Sequence, residues 1–483
     1  MELGSSSLIG TTETRNPEAI PIMRLTLDIL VIAISVVQAA IFQNLVEKSL
    51  NISYDYVIVG GGTAGITLAS RLSTGKSQFL SKQIININQG HKIGGSSAVN
   101  AMIFDRGMPS NYDAWAAHGD EGWDFAGLLP YFKKFSAGPG LTASKVEALK
   151  EVIVSAVALI TPKLLQLSGI RPISLMSRHG IPSLVDLPGV GANLQDHPFG
   201  LTLASLSAGI PGNYELENAT FDAEQKISTT LKEKVSSALK GREALLNQLL
   251  GRWADTIAEA LAFIPLSNFT QSDVTGKWLS VISSAGAAQY LPQDTDQTIK
   301  DGYMMQVQQL LEMHHSGSTA GMELLYVDGG RSIVNILMHP LSRGTVAINS
   351  TDTFAPPVIN PRYLSHRYDG QVLVESIRFN RKLLATEQIQ ALGATETLPG
   401  VGTTSDDDLS EFIKGVSPTE YHYAGTCAML PRSIGGVVDS NLSVHGANGL
   451  RIVDASIMPL LPSAHTQAAV YAIAEKVNHA PTH

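Results

Sequence analysis

The chain carries a single cysteine, Cys427, in 483 residues. One thiol excludes an internal disulfide framework and any metal site built on clustered cysteines. Basic residues are also in short supply: 34 Lys and Arg against 43 Asp and Glu leave a net charge of −9. A surface of that sign offers no electrostatic footprint for a polyanion, so nucleic acid is excluded as a partner. The apolar stretch Ile29 to Val37 is short for a bilayer, with Asp28 at its front edge, so no stable membrane span is expected. Internal repeats and low-complexity tracts are absent. What remains is a chain 44% hydrophobic and rich in glycine, with 43 Gly. That apolar fraction suffices for a folded core and is too high for a disordered protein. The length allows two to four domains' worth of polypeptide.

Residues 1–22 are polar and without periodicity, and read as a disordered or mispredicted extension. From Met23 onward a basic residue, an apolar run and the small residues Ala39 and Ala40 have the order of a signal peptide, which is assigned to 23–40. Five Asn-x-Ser/Thr sequons, at Asn51, Asn218, Asn268, Asn349 and Asn441, agree with passage through the secretory pathway and are the candidate glycosylation sites.

Tyr54 to Val59 reads as a short buried strand that runs into Gly60-Gly61-Gly62-Thr63-Ala64-Gly65, followed by the helix-compatible Ile66 to Leu72. Strand, G-x-G-x-x-G and helix in succession form a dinucleotide-binding signature. Gly60 permits the tight turn, Gly62 lets backbone approach a pyrophosphate, and Gly65 lets helix and strand pack closely. The helix N-terminus presents free N–H groups to the phosphates, with Thr63 and Ala64 in the loop. The acidic residue expected about 20 positions on, for the ribose, is missing. Arg71 to Lys92 contains no Asp or Glu, and the candidate second strand, Ile84 to Asn88, ends in asparagine.

Further blocks follow in order. Lys92 to Met102, with Gly94, Gly95, Ser96, Asn100, Ala101 and Met102 and the adjoining Ile103, is succeeded by Arg106-Gly107 and Asp113-Ala114-Trp115. Then come Ala158 to Ile170, Pro188 to His197, His339 to Gly344, Tyr421 to Met429, and Gly435 to Lys476. Together these resemble the glucose–methanol–choline (GMC) oxidoreductases over much of residues 54–476. The motif His465-Thr466-Gln467 is most similar to the aryl-alcohol oxidase branch and fungal secondary-metabolism relatives.

The resemblance implies an α/β (α+β) fold with a discontinuous Rossmann-like FAD-binding domain and a sheet-plus-helices substrate domain. It places the FAD-binding pieces at 51–200, the substrate domain at 201–415, and a C-terminal FAD-binding segment at 416–483. It implies FAD as cofactor, a small-molecule alcohol as substrate, and oxygen or another electron acceptor. Asp454, Ala455, Thr466 and Gln467 are expected against the cofactor, the last two opening a helix from Ala468 to Val477. The chain departs from the pattern in being short. The region Ser73 to Gly90 is reduced, a segment between Phe135 and Val146 is lacking, and family glycines are replaced by Val157 and Arg171. The resemblance also leaves open a non-redox cyclisation on the same fold, and a truncated, non-catalytic remnant.

Oxidising an alcohol with a flavin requires a base for the hydroxyl proton, a role that suits a neutral imidazole. Any of 13 histidines satisfies that demand by type alone. The resemblance selects His422 as base and His465 as its partner, orienting the alcohol or sharing the proton. No metal site is assigned, and His314-His315 is read as a polar loop. His339 is read as the start of a strand and Cys427 as a packing residue. Residues 221–262 read as helices, Ile333 to Met338 and Gly344 to Ile348 as strands, and Gln371 to Leu384 as a helix.

Overall fold

A computed structural model describes residues 53–59, 78–80, 83–85, 108–120, 122–132, 147–173, 179–207, 258–270, 276, 286–327, 332–353, 355–416 and 419–477. Along the chain the described strands are β1 (Ser53–Val59), β2 (Gln78–Leu80), β3 (Gln83–Ile85), β4 (Glu147–Val154), β5 (Ile170–Arg171), β6 (Val185–Asp186) and β7 (Phe199–Ser205). They continue with β8 (Ala258–Ile264), β9 (Met322–Val327), β10 (Ser332–Leu337), β11 (Thr345–Ala347), β12 (Val358–Asn360), β13 (Thr395–Leu398) and β14 (Leu450–Ile452).

The first layer is a parallel sheet in the order β1-β4-β14, so it draws strands from both ends of the chain. In β4, Val152, Ile153 and Val154 are all buried, the unbroken apolar run of a strand covered on both faces. The expected strands at 54–59 and 450–453 are both present. The candidate second strand behaves differently. Gln83–Ile85 folds back antiparallel on Gln78–Leu80, and this pair stands apart from the parallel sheet among the described residues. Pairing between two segments so close in sequence closes locally. Joining the parallel sheet instead requires a long crossover.

The helix Val157–Leu167 leaves the C-terminal end of β4 and contains a proline at its sixth position, Pro162. Proline has no N–H, so the carbonyl of Ala158 loses its helical donor. The hydroxyl of Thr426 donates to that carbonyl instead, at 2.5 Å. The N-terminus of the helix is closed by Asp454, from the end of β14. Its carboxylate accepts from the Val157 backbone N–H, from Thr161 Oγ1 at 2.6 Å and from the Ser456 N–H at 2.8 Å. All three of these bonds run inside the protein.

The second layer is an antiparallel sheet in the order β13-β7-β10-β9-β8. The helix Arg367–Leu384 packs across β7 and β10. A buried polar cluster stitches the two together: Asn380 Nδ2 donates to Thr202 Oγ1 at 2.9 Å, and Asn335 Nδ2 donates to Asn380 Oδ1 at 3.1 Å. Both strands expected at 333–338 and 344–348 and the helix at 371–384 are found. Three expectations are overturned. Ala258–Ile264 is an edge strand paired with β9, not the end of a helix, because an available sheet edge overrides the helix propensity of its alanines and glutamate. The rest of the expected helical pair, 221–257, lies outside the described residues. His314 and His315 end the helix Gln297–His315 and are not in a loop. His339 follows β10 and does not begin a strand.

Val157 adopts φ +64°, a left-handed conformation that a β-branched side chain tolerates poorly. This is one of the two positions where the sequence lacks the glycine its family pattern calls for. Val157→Gly is expected to stabilise the fold by about 1 kcal/mol. Urea unfolding of both proteins measures this, and an unchanged or lowered midpoint contradicts it.

Candidate active site

The site is assembled by two seams, the first antiparallel and the second between segments that run in the same direction. Residues 194–198 run against 419–424. Gln195 and Ala424 exchange backbone hydrogen bonds at 3.0 and 2.9 Å, and the Glu420 N–H reaches the His197 carbonyl at 3.1 Å. Residues 425–429 then run against the segment after β14, with Gly425 N–H on Ala455 O at 3.1 Å and Cys427 N–H on Ser456 O at 2.8 Å. The first seam is locked by Asp196. Its Oδ1 accepts the backbone N–H groups of both His197, at 2.9 Å, and His422, at 2.8 Å. Its Oδ2 accepts the hydroxyls of Tyr363 and Thr419. Burial raises the Asp196 carboxyl to about 6 even against these four donors.

The two histidines selected from the sequence meet here. The His422 and His465 rings stand perpendicular, with centroids 4.9 Å apart. Behind His422 lies a third imidazole, with Nδ1 of His197 2.9 Å from Nδ1 of His422. Behind His465 lies Glu323 of β9, whose Oε1 is 3.1 Å from His465 Nε2. Glu323 is fully buried in the middle of the antiparallel sheet, opposite Ile336. The pair therefore joins the C-terminal segment to the second layer. Burial holds His422 well below the usual imidazole range, reinforced by His197 and His465. Burial, followed by His465, lowers His197 to about 3. Neutral imidazoles, which can accept a proton, are the result.

The turn that carries His465 is anchored through Ser463. Its N–H donates to Asn111 Oδ1 at 2.7 Å, and its hydroxyl lies 2.9 Å from His339 Nε2. His339 is buried in this network together with Thr319, whose hydroxyl is 2.9 Å from the same nitrogen. Glu420 completes the cluster. Potential ligand atoms of Glu420, His422 and His465 lie within 4.8 Å of one another.

Of the residues expected at the cofactor, Asp454 and Ala455 follow β14 at the C-terminal edge of the parallel sheet. Thr466 and Gln467 are half-buried at the start of the helix Gln467–Val477. Gly60, Gly62, Thr63, Ala64, Gly65, Gly94, Gly95, Ser96, Asn100, Ala101, Met102 and Ile103 lie outside the described residues. Cys427 is fully buried, and burial pushes its thiol well above the usual range, so it packs and does not react. Sequence reasoning passed over four residues at the centre of the site: Asp196, His197, Glu323 and Glu420. The first two ended a block already singled out. Glu323 had one signal, a lone acid inside the apolar strand Met322–Val327.

Comparison with known proteins agrees with this architecture. Residues 340–474 match the C-terminal profile, and residues 54–148 and 136–199 the N-terminal profile, of the family described as GMC oxidoreductase. The GMC oxidoreductase family protein Mala s 12 of Malassezia sympodialis is 32% identical over 384 residues, covering 78% of this chain and 53% of that protein. The chain thus spans about half the length of that curated relative. A fungal aryl-alcohol oxidase structure superposes with a TM-score of 0.75 at 27% identity, covering 89% of this chain and 98% of the other. An FAD-dependent oxidoreductase from Chaetomium thermophilum shares the fold, with a TM-score of 0.76 at 23% identity over 88% of this chain and 98% of the other.

Burial is the first cause that lifts the Glu420 carboxyl from 4.5 to about 7; His465 opposes the rise, and Glu323 and Asp196 add to it. The folded chain therefore holds this proton more tightly than the unfolded chain. Stability falls as pH climbs from about 4.5 to about 7, and stays at the lower level above. Glu420→Gln removes that loss, so its advantage in Tm over the parent is expected to be larger at pH 8 than at pH 5. An equal advantage at both pH values contradicts the placement of this carboxyl.

Proposed function

The chain belongs to the GMC oxidoreductase family, and on that premise we propose that it is an FAD-dependent enzyme that oxidises an alcohol, with His422 as base and His465 orienting the hydroxyl. The observation that carries the reading is the His422–His465 pair, a half-buried and a buried imidazole standing perpendicular with centroids 4.9 Å apart. An aromatic primary alcohol is the substrate class the fungal aryl-alcohol oxidase likeness favours. Oxygen or another acceptor completes the cycle.

The described residues suit the cofactor. The parallel strands β1, β4 and β14 end together, and a dinucleotide lies beyond the carboxyl ends of such strands. The hydroxyl of Ser155, directly after β4, is buried and has no hydrogen-bond partner among the described residues, as suits a polar group awaiting a ligand. The backbone after β14 at Ala455, and Thr466 and Gln467 at a helix N-terminus, would hold the isoalloxazine and the pyrophosphate of FAD, with the glycine loop from Gly60 to Gly65 and the block from Gly94 to Ile103. FAD, when bound, supplies the acceptor for the carbinol hydride. The protein's own part is to take the hydroxyl proton on His422 and to fix the oxygen beside His465, whose ring is aimed by Glu323.

The same reading assigns 51–200 and 416–483 to the cofactor side and 201–415 to the substrate side. The composition of the two sheets supports this division. It also makes the protein a secreted glycoprotein. The sequon asparagines Asn268, Asn349 and Asn441 are exposed, which supports attachment of glycans.

Protein secreted from a fungal host and loaded with FAD is expected to be yellow, to lose apparent mass on endoglycosidase treatment, and to bleach when an aromatic alcohol is added without oxygen. His422→Ala and His465→Ala should each slow bleaching by about 10²–10⁴-fold while flavin stays bound. Bleaching that survives both changes contradicts the assignment. A cyclised product without bleaching would show a non-redox reaction on this fold.

A further inference from the structure

We infer that His197 is a positioning residue that fixes the tautomer of His422, so that the proton sits on Nδ1 of His422 and the bare lone pair on its Nε2. This rests on the reading of His422 as the base. Two nitrogens 2.9 Å apart, here Nδ1 of His197 and Nδ1 of His422, form a hydrogen bond only if one carries a proton and the other does not. Two arrangements satisfy that condition, and the surroundings separate them. The Met338 backbone carbonyl acts on the His197 ring as a hydrogen-bond acceptor would, although Nε2 makes no fully formed hydrogen bond among the described residues, and Nδ1 is already taken by His422. If His197 were protonated on Nδ1, the lone pair of its Nε2 would lie against that carbonyl oxygen in a fully buried site. With the proton on Nε2 the dipoles are complementary. His197 Nδ1 is then an acceptor, and His422 Nδ1–H donates to it.

The arrangement requires the two rings to project from fixed positions, and the backbone bonds around them fix those positions. Asp196 Oδ1 holds the N–H groups of both His197 and His422, and the Glu420 N–H holds the carbonyl of His197. The two imidazoles are thereby hung from one carboxylate. The T-shaped packing of their rings, with centroids 5.1 Å apart at 88°, fills the remaining space. The nitrogen of His422 left to accept a proton is Nε2. An imidazole in the wrong tautomer presents an N–H where the substrate hydroxyl needs an acceptor, and such an error lowers turnover by orders of magnitude in other His-based enzymes.

The test uses the FAD-loaded chain labelled with ¹⁵N-histidine, with the His422 signals assigned by their loss in His422→Gln. Three outcomes support the inference. In the parent, His422 is protonated on Nδ1. In His197→Leu, which removes the acceptor, that tautomer is lost and kcat falls at least about tenfold. In His197→Asn, whose amide oxygen takes the place of Nδ1, both tautomer and kcat recover. His422 protonated on Nε2 in the parent overturns the inference. So does a tautomer that His197→Leu leaves unchanged, or an asparagine variant that recovers neither property. The parent's spectrum answers the question even if the leucine variant fails to fold. Failure of the parent to bleach with any alcohol would sink the proposed activity and leave the tautomer result standing.

Discussion

One carboxylate holds this site together. Asp196 accepts four hydrogen bonds, from the backbone of two different segments and from the hydroxyls of Tyr363 and Thr419. Those segments are 225 positions apart in sequence, counting from His197 to His422. Without the shared acceptor, two backbone N–H groups and two hydroxyls would compete for partners in a largely buried region, and each group left unsatisfied would cost about 1–3 kcal/mol. The arrangement of the imidazoles is a consequence of satisfying that carboxylate. The chemistry assigned to His422 therefore depends on a residue whose four hydrogen bonds all run to the protein itself.

A second constraint acts where β4 of the parallel sheet ends. The corner where β4 turns into its helix contains two departures from ideal backbone, a left-handed valine and a proline inside the first turns of a helix. Both are met by residues of the C-terminal segment. Asp454 closes the helix N-terminus, and Thr426 supplies the donor that Pro162 lacks. The segment that carries His422 and the one that follows β14 are thus bound to the same helix. This ties the positions of Ala455 and His422 to one another through a short series of buried hydrogen bonds.

Much of this was legible in the sequence where the signal was local. A short apolar run before glycines marked β1, and helix-compatible runs at 371–384 and 468–477 fall within the observed helices Arg367–Leu384 and Gln467–Val477. The His422–His465 pair came from motif resemblance, because nothing in the spacing of 13 histidines predicts which two meet. The failures have physical causes. Ala258–Ile264 has helix-forming residues but lies at a sheet edge, where pairing with β9 decides its conformation. Gln83–Ile85 has strand character but finds its partner two residues away. Glu323 and Asp196 were missed because a lone acid announces a role only when tertiary folding shows what it faces. His339 was read as a strand residue, and its three buried contacts became visible only once Asn111, Thr319 and Ser463 were brought together from distant parts of the chain.

The central claim is that the fold brings an isoalloxazine ring and two imidazoles, both hung from buried carboxylates, to one place. A crystal structure of the chain grown with FAD tests it most directly. The account requires the flavin to lie beyond the ends of β1, β4 and β14, with His422 and His465 together on the side of the ring where the alcohol enters. Flavin bound elsewhere, or the two imidazoles on opposite sides of it, would contradict the account.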